Sequence, residues 1–140
     1  MLIHASCVAI HNAAVLLVGP AGVGKSDLAL RMIDEGAEFI SDDQTLLAHE
    51  ENKLIASTPD TIKGLFEVRH VGLLQLPHVN SAVVQLYIDL VALDHDIERL
   101  PDDEFITVLD VPVRRMTLPS FAASTPAKIR AVLKYPVANH

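Results

Sequence analysis

Lys25 and Ser26 close the run Gly19-Pro20-Ala21-Gly22-Val23-Gly24-Lys25-Ser26, which fits the phosphate-loop pattern G-x-x-x-x-G-K-[ST] at every position. Each residue type has a task when a nucleoside triphosphate arrives. Glycines at 19, 22 and 24 let the backbone take positive φ, so that successive N–H groups turn inward around phosphate oxygens. The Lys25 ammonium is a flexible point charge that reaches β- and γ-phosphates, and the Ser26 hydroxyl is a ligand for Mg²⁺.

A phosphate cradle does not decide where a phosphoryl group goes; nearby carboxylates do. Phosphate-loop proteins hold Mg²⁺ with an Asp at the end of a second strand, and two places in the chain offer one. Asp42-Asp43 follow one apolar strand, and Asp89 follows Val83-Val84-Gln85-Leu86-Tyr87-Ile88. The pair is preferred because two adjacent carboxylates can divide the work, one on the metal and one accepting a proton from an incoming hydroxyl. A solvated turn is the plain alternative for the pair, and Asp89 is expected to face solvent at its strand end. Glu67 and Arg69 lie two apart, so an extended segment presents both on one side, where they could serve metal and phosphate. From the residues alone a surface ion pair is the favoured reading there. No two histidines have metal-ligand spacing on a helix, and the single Cys7 argues further against a zinc site. His49, His78, His95 and His140 read as surface residues, and Asp102-Asp103-Glu104 as a solvated loop.

The elements that must position these residues follow from the apolar pattern. Leu2 to Ile10 reads as a strand, His11-Asn12 as a tight turn, and Ala13 to Val18 as a buried strand leading into the loop. Leu28, Ala29, Met32 and Ile33 recur at helical spacing after it, and Gly36 is placed to cap that helix. A helix over residues 26–35 rises ~15 Å away from the phosphates. The strand Ala37 to Ser41 recovers a similar distance at ~3.3 Å per residue. Asp42 and Asp43 are thereby returned to the phosphate end. The hairpin suggested at His11-Asn12 is antiparallel, so the sheet is expected to be mixed. Thr45 to Ala48 and Lys53 to Ser57 read as a hairpin with a four-residue loop, His49 to Asn52, and a turn at Pro59-Asp60 follows. Gly64 to Leu76 is expected to be a loop or short strand beside the site, and Ser81 to Val91 a strong strand. Asp94 to Glu104 reads as a surface loop, Phe105 to Leu109 and Val111 to Leu118 as short strands. Thr125-Pro126 reads as an N-cap and first position of a C-terminal helix.

Composition bounds the rest. The 140 residues suit one domain spanning 1–140, able to bury about two-thirds of its unfolded surface. A net charge of −7, from 11 Lys and Arg against 18 Asp and Glu, argues against a nucleic-acid partner. The N-terminus lacks the basic and apolar regions of a signal peptide, and no apolar run approaches the ~20 residues of a membrane span. A cytoplasmic protein without a membrane partner is expected, and lone Cys7 agrees with a reducing compartment.

Together, His4, the loop Gly19 to Ser26, Asp42-Asp43 and Glu67-Val68-Arg69-His70-Val71-Gly72 resemble the kinase domain of HPr kinase/phosphorylase. That family carries a His upstream of its phosphate loop, a D-D pair after the helix and an E-x-R-G-x-G signature. Arg99-Leu100 resembles a later Arg-Leu of the family. The likeness covers nearly the whole chain and is greatest to the short proteobacterial form. It implies an α/β fold with a P-loop core and mixed β-sheet, similar to phosphoenolpyruvate carboxykinase. It implies an ATP- and Mg²⁺-dependent protein kinase that phosphorylates a serine of HPr, the phosphocarrier of the phosphotransferase system, and a reverse phosphorolysis. By position, Asp42 would be the general base, with His4 beside it to set its orientation or charge. Lys25 and the rest of Gly19, Pro20, Ala21, Gly22, Val23, Gly24 and Ser26 would hold the nucleotide. Ser26 and Asp43 would hold Mg²⁺ with help from Glu67, while Arg69 and Arg99 would offset developing charge. The family is hexameric, so a homo-oligomer is implied. An ATP-binding sensory module with little turnover is the alternative. The chain departs from the family pattern at two places. His70 replaces the signature glycine, and Arg114-Arg115 stands where the family has a Pro-Gly-Arg-Asn type loop.

Overall fold

The computed structural model describes residues 1–138; 139 and 140, and with them the reading of His140 as a surface residue, lie outside that range. Strands β1 (Leu2–Ile3), β2 (Ala5–Ile10) and β3 (Ala13–Val18) precede helix α1 (Lys25–Asp34) and β4 (Glu38–Ser41). Next come β5 (Thr45–Glu50), β6 (Lys53–Ser57), a 3₁₀ turn (Asp60–Ile62), β7 (Leu65–Val68), β8 (Gly72–Gln75) and β9 (Ser81–Val91). β10 (Glu104–Val108), β11 (Val111–Pro119) and α2 (Thr125–Lys134) complete the chain.

Among the described residues nine strands form one mixed sheet in the order β1-β5-β6-β9-β3-β2-β4, with β11 also on β9 and β10 outside it. β9 is long enough to serve three neighbours. β3 runs parallel along one edge, while β6 takes the first residues of the other edge and β11 its last. The alternating side chains of β2 and β3 explain why, Ser6 apart, both strands are apolar. Val8, Val15 and Leu17 enter a core with Leu28, Ala29 and Met32 of α1, and Cys7, Leu16 and Ala14 enter a second core on the opposite face. Ile40, Leu47, Leu54 and Val113 close that second core as the sheet curls over itself. The three α1 residues are fully buried, and burial of a Leu or Met is worth about 1.5–3 kcal/mol each.

The return from α1 is a Schellman turn. Gly36 takes φ 107°, its N–H reaches the Ile33 carbonyl, and the Ala37 N–H reaches that of Met32. β4 then runs antiparallel to β2, which is antiparallel to β3. The C-terminal ends of β3, β4, β9 and β11 and the N-terminal end of β2 therefore meet at one end of the sheet.

Several boundaries differ from the sequence reading. Leu2 to Ile10 is two strands, β1 on β5 and β2 on β3, divided at His4. The β5–β6 loop has two residues, not four, because Glu51 and Asn52 both take positive φ (51° and 64°), the type I′ geometry that joins twisted strands directly. His11-Asn12 and Leu109-Asp110 do the same. Gly64 to Leu76 contains the hairpin β7–β8, held to the core by Phe66 against Phe39 at 5.2 Å between ring centroids. Ser124, not Thr125, occupies the N-cap position of α2; the Thr125 hydroxyl donates instead to the Pro119 carbonyl at 2.5 Å. His78 is half-buried beside the Leu76 carbonyl rather than free on the surface.

Candidate functional site

The run Gly19 to Ser26 connects β3 to α1, with Gly22 and Gly24 at φ 83° and 108°. Lys25 is buried, and its Nζ donates to the carbonyls of Gly19 at 2.8 Å and Pro20 at 3.2 Å. The side chain thus folds back over its own loop and holds a positive charge at the head of α1. No side chain among the described residues caps that helix, so its first N–H groups add their partial positive charge to the ammonium.

Asp42 closes the site from the return strand. Its Oδ1 accepts hydrogen bonds from Ser26 Oγ at 2.7 Å and Ser6 Oγ at 3.0 Å, and its Oδ2 receives none among the described residues. Ser6 in turn accepts the Asp43 N–H at 3.2 Å. The Gln44 N–H reaches back to the Asp42 carbonyl at 2.7 Å around Asp43, whose φ is 64°. This is a γ-turn of the positive-φ kind, a conformation that needs support from its surroundings. It leaves the Asp43 carboxylate exposed while Asp42 faces the loop.

Of the residues singled out in the sequence, the structure brings Ser26 and Asp42 into contact at the end of the sheet that bears Lys25. His4 stands at the same end, two residues before Ser6, exposed and without a side-chain hydrogen bond among the described residues. Arg99 is exposed in the connector that leaves β9 there. Glu67 and Arg69 are exposed on the β7–β8 hairpin, lining with His70 to Leu73 an open hollow of about 370 Å³. They form no ion pair among the described residues, because Arg69 has left the strand for a turn closed by the Val71 N–H on the Val68 carbonyl at 2.9 Å. His70 takes φ 71° there, so this position has a left-handed backbone with a side chain on it. A second hollow, about 290 Å³, lies at the far end of α1 among Ile33, Phe39 and His78, away from these groups.

Asp89 does not simply face solvent. Its Oδ2 accepts from Arg115 Nε at 2.5 Å, and the guanidinium lies 5.5 Å from the Tyr87 ring centroid. Burial, then the Asp89 charge, raises the Tyr87 phenol above its usual range, and the hydrogen bond to Asp89 raises the Arg115 guanidinium. Asp89 is thereby committed to a cation on β11.

Sequence reasoning missed Ser6, whose signal was modest: the one hydroxyl in an otherwise apolar strand. It also missed Ser120, whose Oγ donates to the Val23 carbonyl, and Arg31, whose guanidinium reaches the carbonyls of Ser120 and, at 3.3 Å, Ala122. These contacts span about ninety residues of chain and leave no local trace.

The family described as HPr Serine kinase C-terminal domain matches residues 1–136. The HPr kinase/phosphorylase of Clostridium acetobutylicum is 35% identical over 127 residues, which covers 84% of this chain and 42% of the relative. That of Clostridium tetani is 32% identical over 127 residues, with the same coverage of 84% and 42%. The chain thus spans about two-fifths of the length of the curated relatives it matches. The solved structure of the Hpr(Ser) kinase/phosphatase from Coxiella burnetii superposes with a TM-score of 0.83 at 27% identity, covering 96% of this chain and 94% of that one.

Proposed function

The chain belongs to the HPr serine kinase C-terminal domain family, and from that premise we propose that it is an ATP- and Mg²⁺-dependent kinase of the cytoplasm. It transfers the γ-phosphoryl group to a serine hydroxyl of an HPr-type phosphocarrier protein. The observation that carries this reading is the bond from Ser26 Oγ to Asp42 Oδ1 at 2.7 Å, which sets a carboxylate against the end of a phosphate-loop sequence. The nucleotide fits the residues present: buried Lys25 and the uncapped first turn of α1 give a concentrated positive end for phosphates. Mg²⁺ fits as well. Among the described residues no group of three or more His, Cys, Asp and Glu side chains gathers, but Mg²⁺ takes only one or two carboxylates and draws its remaining ligands from water and substrate phosphates.

In this reading Gly19 to Ser26 cradles the phosphates and Lys25 clamps them. Asp42 is the general base: with Oδ1 held by two hydroxyls, its Oδ2 is available to take the proton of the incoming serine. Ser26 and Asp43, helped by Glu67, hold Mg²⁺, which when bound would neutralise charge on β- and γ-oxygens. Arg69 and Arg99 stabilise charge in transfer, and His4, just before β2, helps set the orientation or charge of Asp42. The same groups run in reverse for phosphorolysis. The working protein is a homo-oligomer.

Incubation with labelled ATP, Mg²⁺ and purified HPr is expected to yield phosphoserine on HPr. Asp42→Asn is expected to abolish transfer while ATP affinity stays intact; unchanged transfer would remove Asp42 as the base. ATP binding without phosphoserine in the wild type would identify a sensory module instead.

A further inference from the structure

Segment 120–122 is fastened at several points, yet the side chain at its centre is left in solvent. The Ser120 N–H donates to the Val91 carbonyl at 3.1 Å and its Oγ to Val23, while the Thr125 N–H reaches Ala122 at 3.2 Å. Arg31 binds the carbonyls on both sides of residue 121. Phe121 is nonetheless 55% exposed. Its ring edge lies on the phosphate-loop sequence: a Cβ built on Gly24 would stand 2.8 Å from Phe121 Cζ and 3.1 Å from Cε2. Gly24 is the N-cap residue of α1. Phe39 and Phe66 are spent on each other in the core, and Tyr87 lies beneath the Arg115 guanidinium.

An apolar ring offers nothing to a phosphate. It offers a π-face to whatever planar group is tethered to that phosphate, and base–aromatic stacking is indifferent to which base it is. We propose that Phe121 is the stacking platform for the nucleobase of the triphosphate held by Gly19 to Ser26, a binding residue supplied from the β11–α2 connection. Arg31 and Ser120 hold it in place. The inference rests on the donor-site reading above.

The test compares binding of ATP and of inorganic tripolyphosphate, which has the phosphates and no base, to the full chain. Phe121→Leu keeps apolar contact with Gly24 and loses the stack. It is expected to weaken ATP ~10-fold while tripolyphosphate binding stays unchanged. Phe121→Trp keeps the stack and introduces the sole tryptophan of the chain; its emission is expected to change on adding ATP and not on adding tripolyphosphate. Equal ATP affinity in Phe121→Leu and wild type overturns the proposal, as does a parallel loss for both ligands. A wild type that binds neither ligand overturns the donor-site reading itself, and this inference with it.

Discussion

Ser26 Oγ donates to Asp42 Oδ1 across 2.7 Å, tying the first turn of α1 to the turn after β4. Ser6 supports the same oxygen and also accepts the Asp43 N–H. Ser6→Ala therefore leaves the Asp43 N–H without its partner and leaves Asp42 held by Ser26 alone among the described residues. A stability loss of about 1–2 kcal/mol in urea unfolding is expected; on the function proposed above, transfer to HPr is lowered and ATP affinity unchanged.

Gly24 is required twice over, by φ 108° and by the side chains of Phe121 and Ser120 lying 2.8 and 2.9 Å from any Cβ placed there. Gly24→Ala is expected to lose about 1–3 kcal/mol and to weaken tripolyphosphate binding. Gly22→Ala, strained at φ 83° but with open space around its Cβ, is expected to lose less in thermal unfolding.

Arg31 has two kinds of partner, and they are worth different amounts. Its exposed pair with Asp27 at 2.9 Å is worth at most about 0.5 kcal/mol. Its bonds to the Ser120 and Ala122 carbonyls are charge-assisted and half-buried. Arg31→Met should lose about 1.5–3 kcal/mol, and Asp27→Asn far less, by urea unfolding of both variants.

His70 occupies a left-handed position, φ 71°, as the third residue of a turn whose second residue is not left-handed, the type II pattern that favours glycine. His70→Gly relieves that strain but loosens the unfolded chain, so its change should fall within about 1 kcal/mol. His70→Val puts a β-branched side chain there and should destabilise by about 1–2 kcal/mol. The order Gly above Val in melting temperature checks it.

Cys7 and Tyr87 both lower stability at alkaline pH. Burial raises both, Cys7 strongly, so the folded state holds its thiol and phenol protons at a pH where the unfolded chain has released them. Their stability contribution is complete below the ordinary values of about 8.5 and 10 and falls as pH rises beyond them. The urea midpoint should fall between about pH 9 and 11, and less steeply in Cys7→Ala. A thiol reagent should label Cys7 only on unfolding.

The sequence by itself determined the loop, the helix after it and the strand that returns Asp42, because each follows from local periodicity and from glycines whose backbone freedom is used within a few residues. Gly36 reversing the chain is such a case. Hairpin lengths were less legible, since Glu51-Asn52 and Leu109-Asp110 adopt positive φ without glycine under the pull of strand twist. The family signature was legible as a pattern, but the separation of Glu67 from Arg69 was not. One turn closed by Val71 decides it.

Only the tertiary structure decided which carboxylate faces the loop, what holds it, and what flanks the site. Asp42 and Asp43 are indistinguishable neighbours until a γ-turn points one inward onto Ser6 and Ser26 and leaves the other in water. Asp89 was a rival until β11 brought Arg115 beside it. Phe121 reaches Gly24 because β3, β9 and β11 run parallel and end together. The physical reason is the same in each case: hydrogen bonds and packing between residues far apart in the chain are set by strand order and register, which no local run of residues encodes.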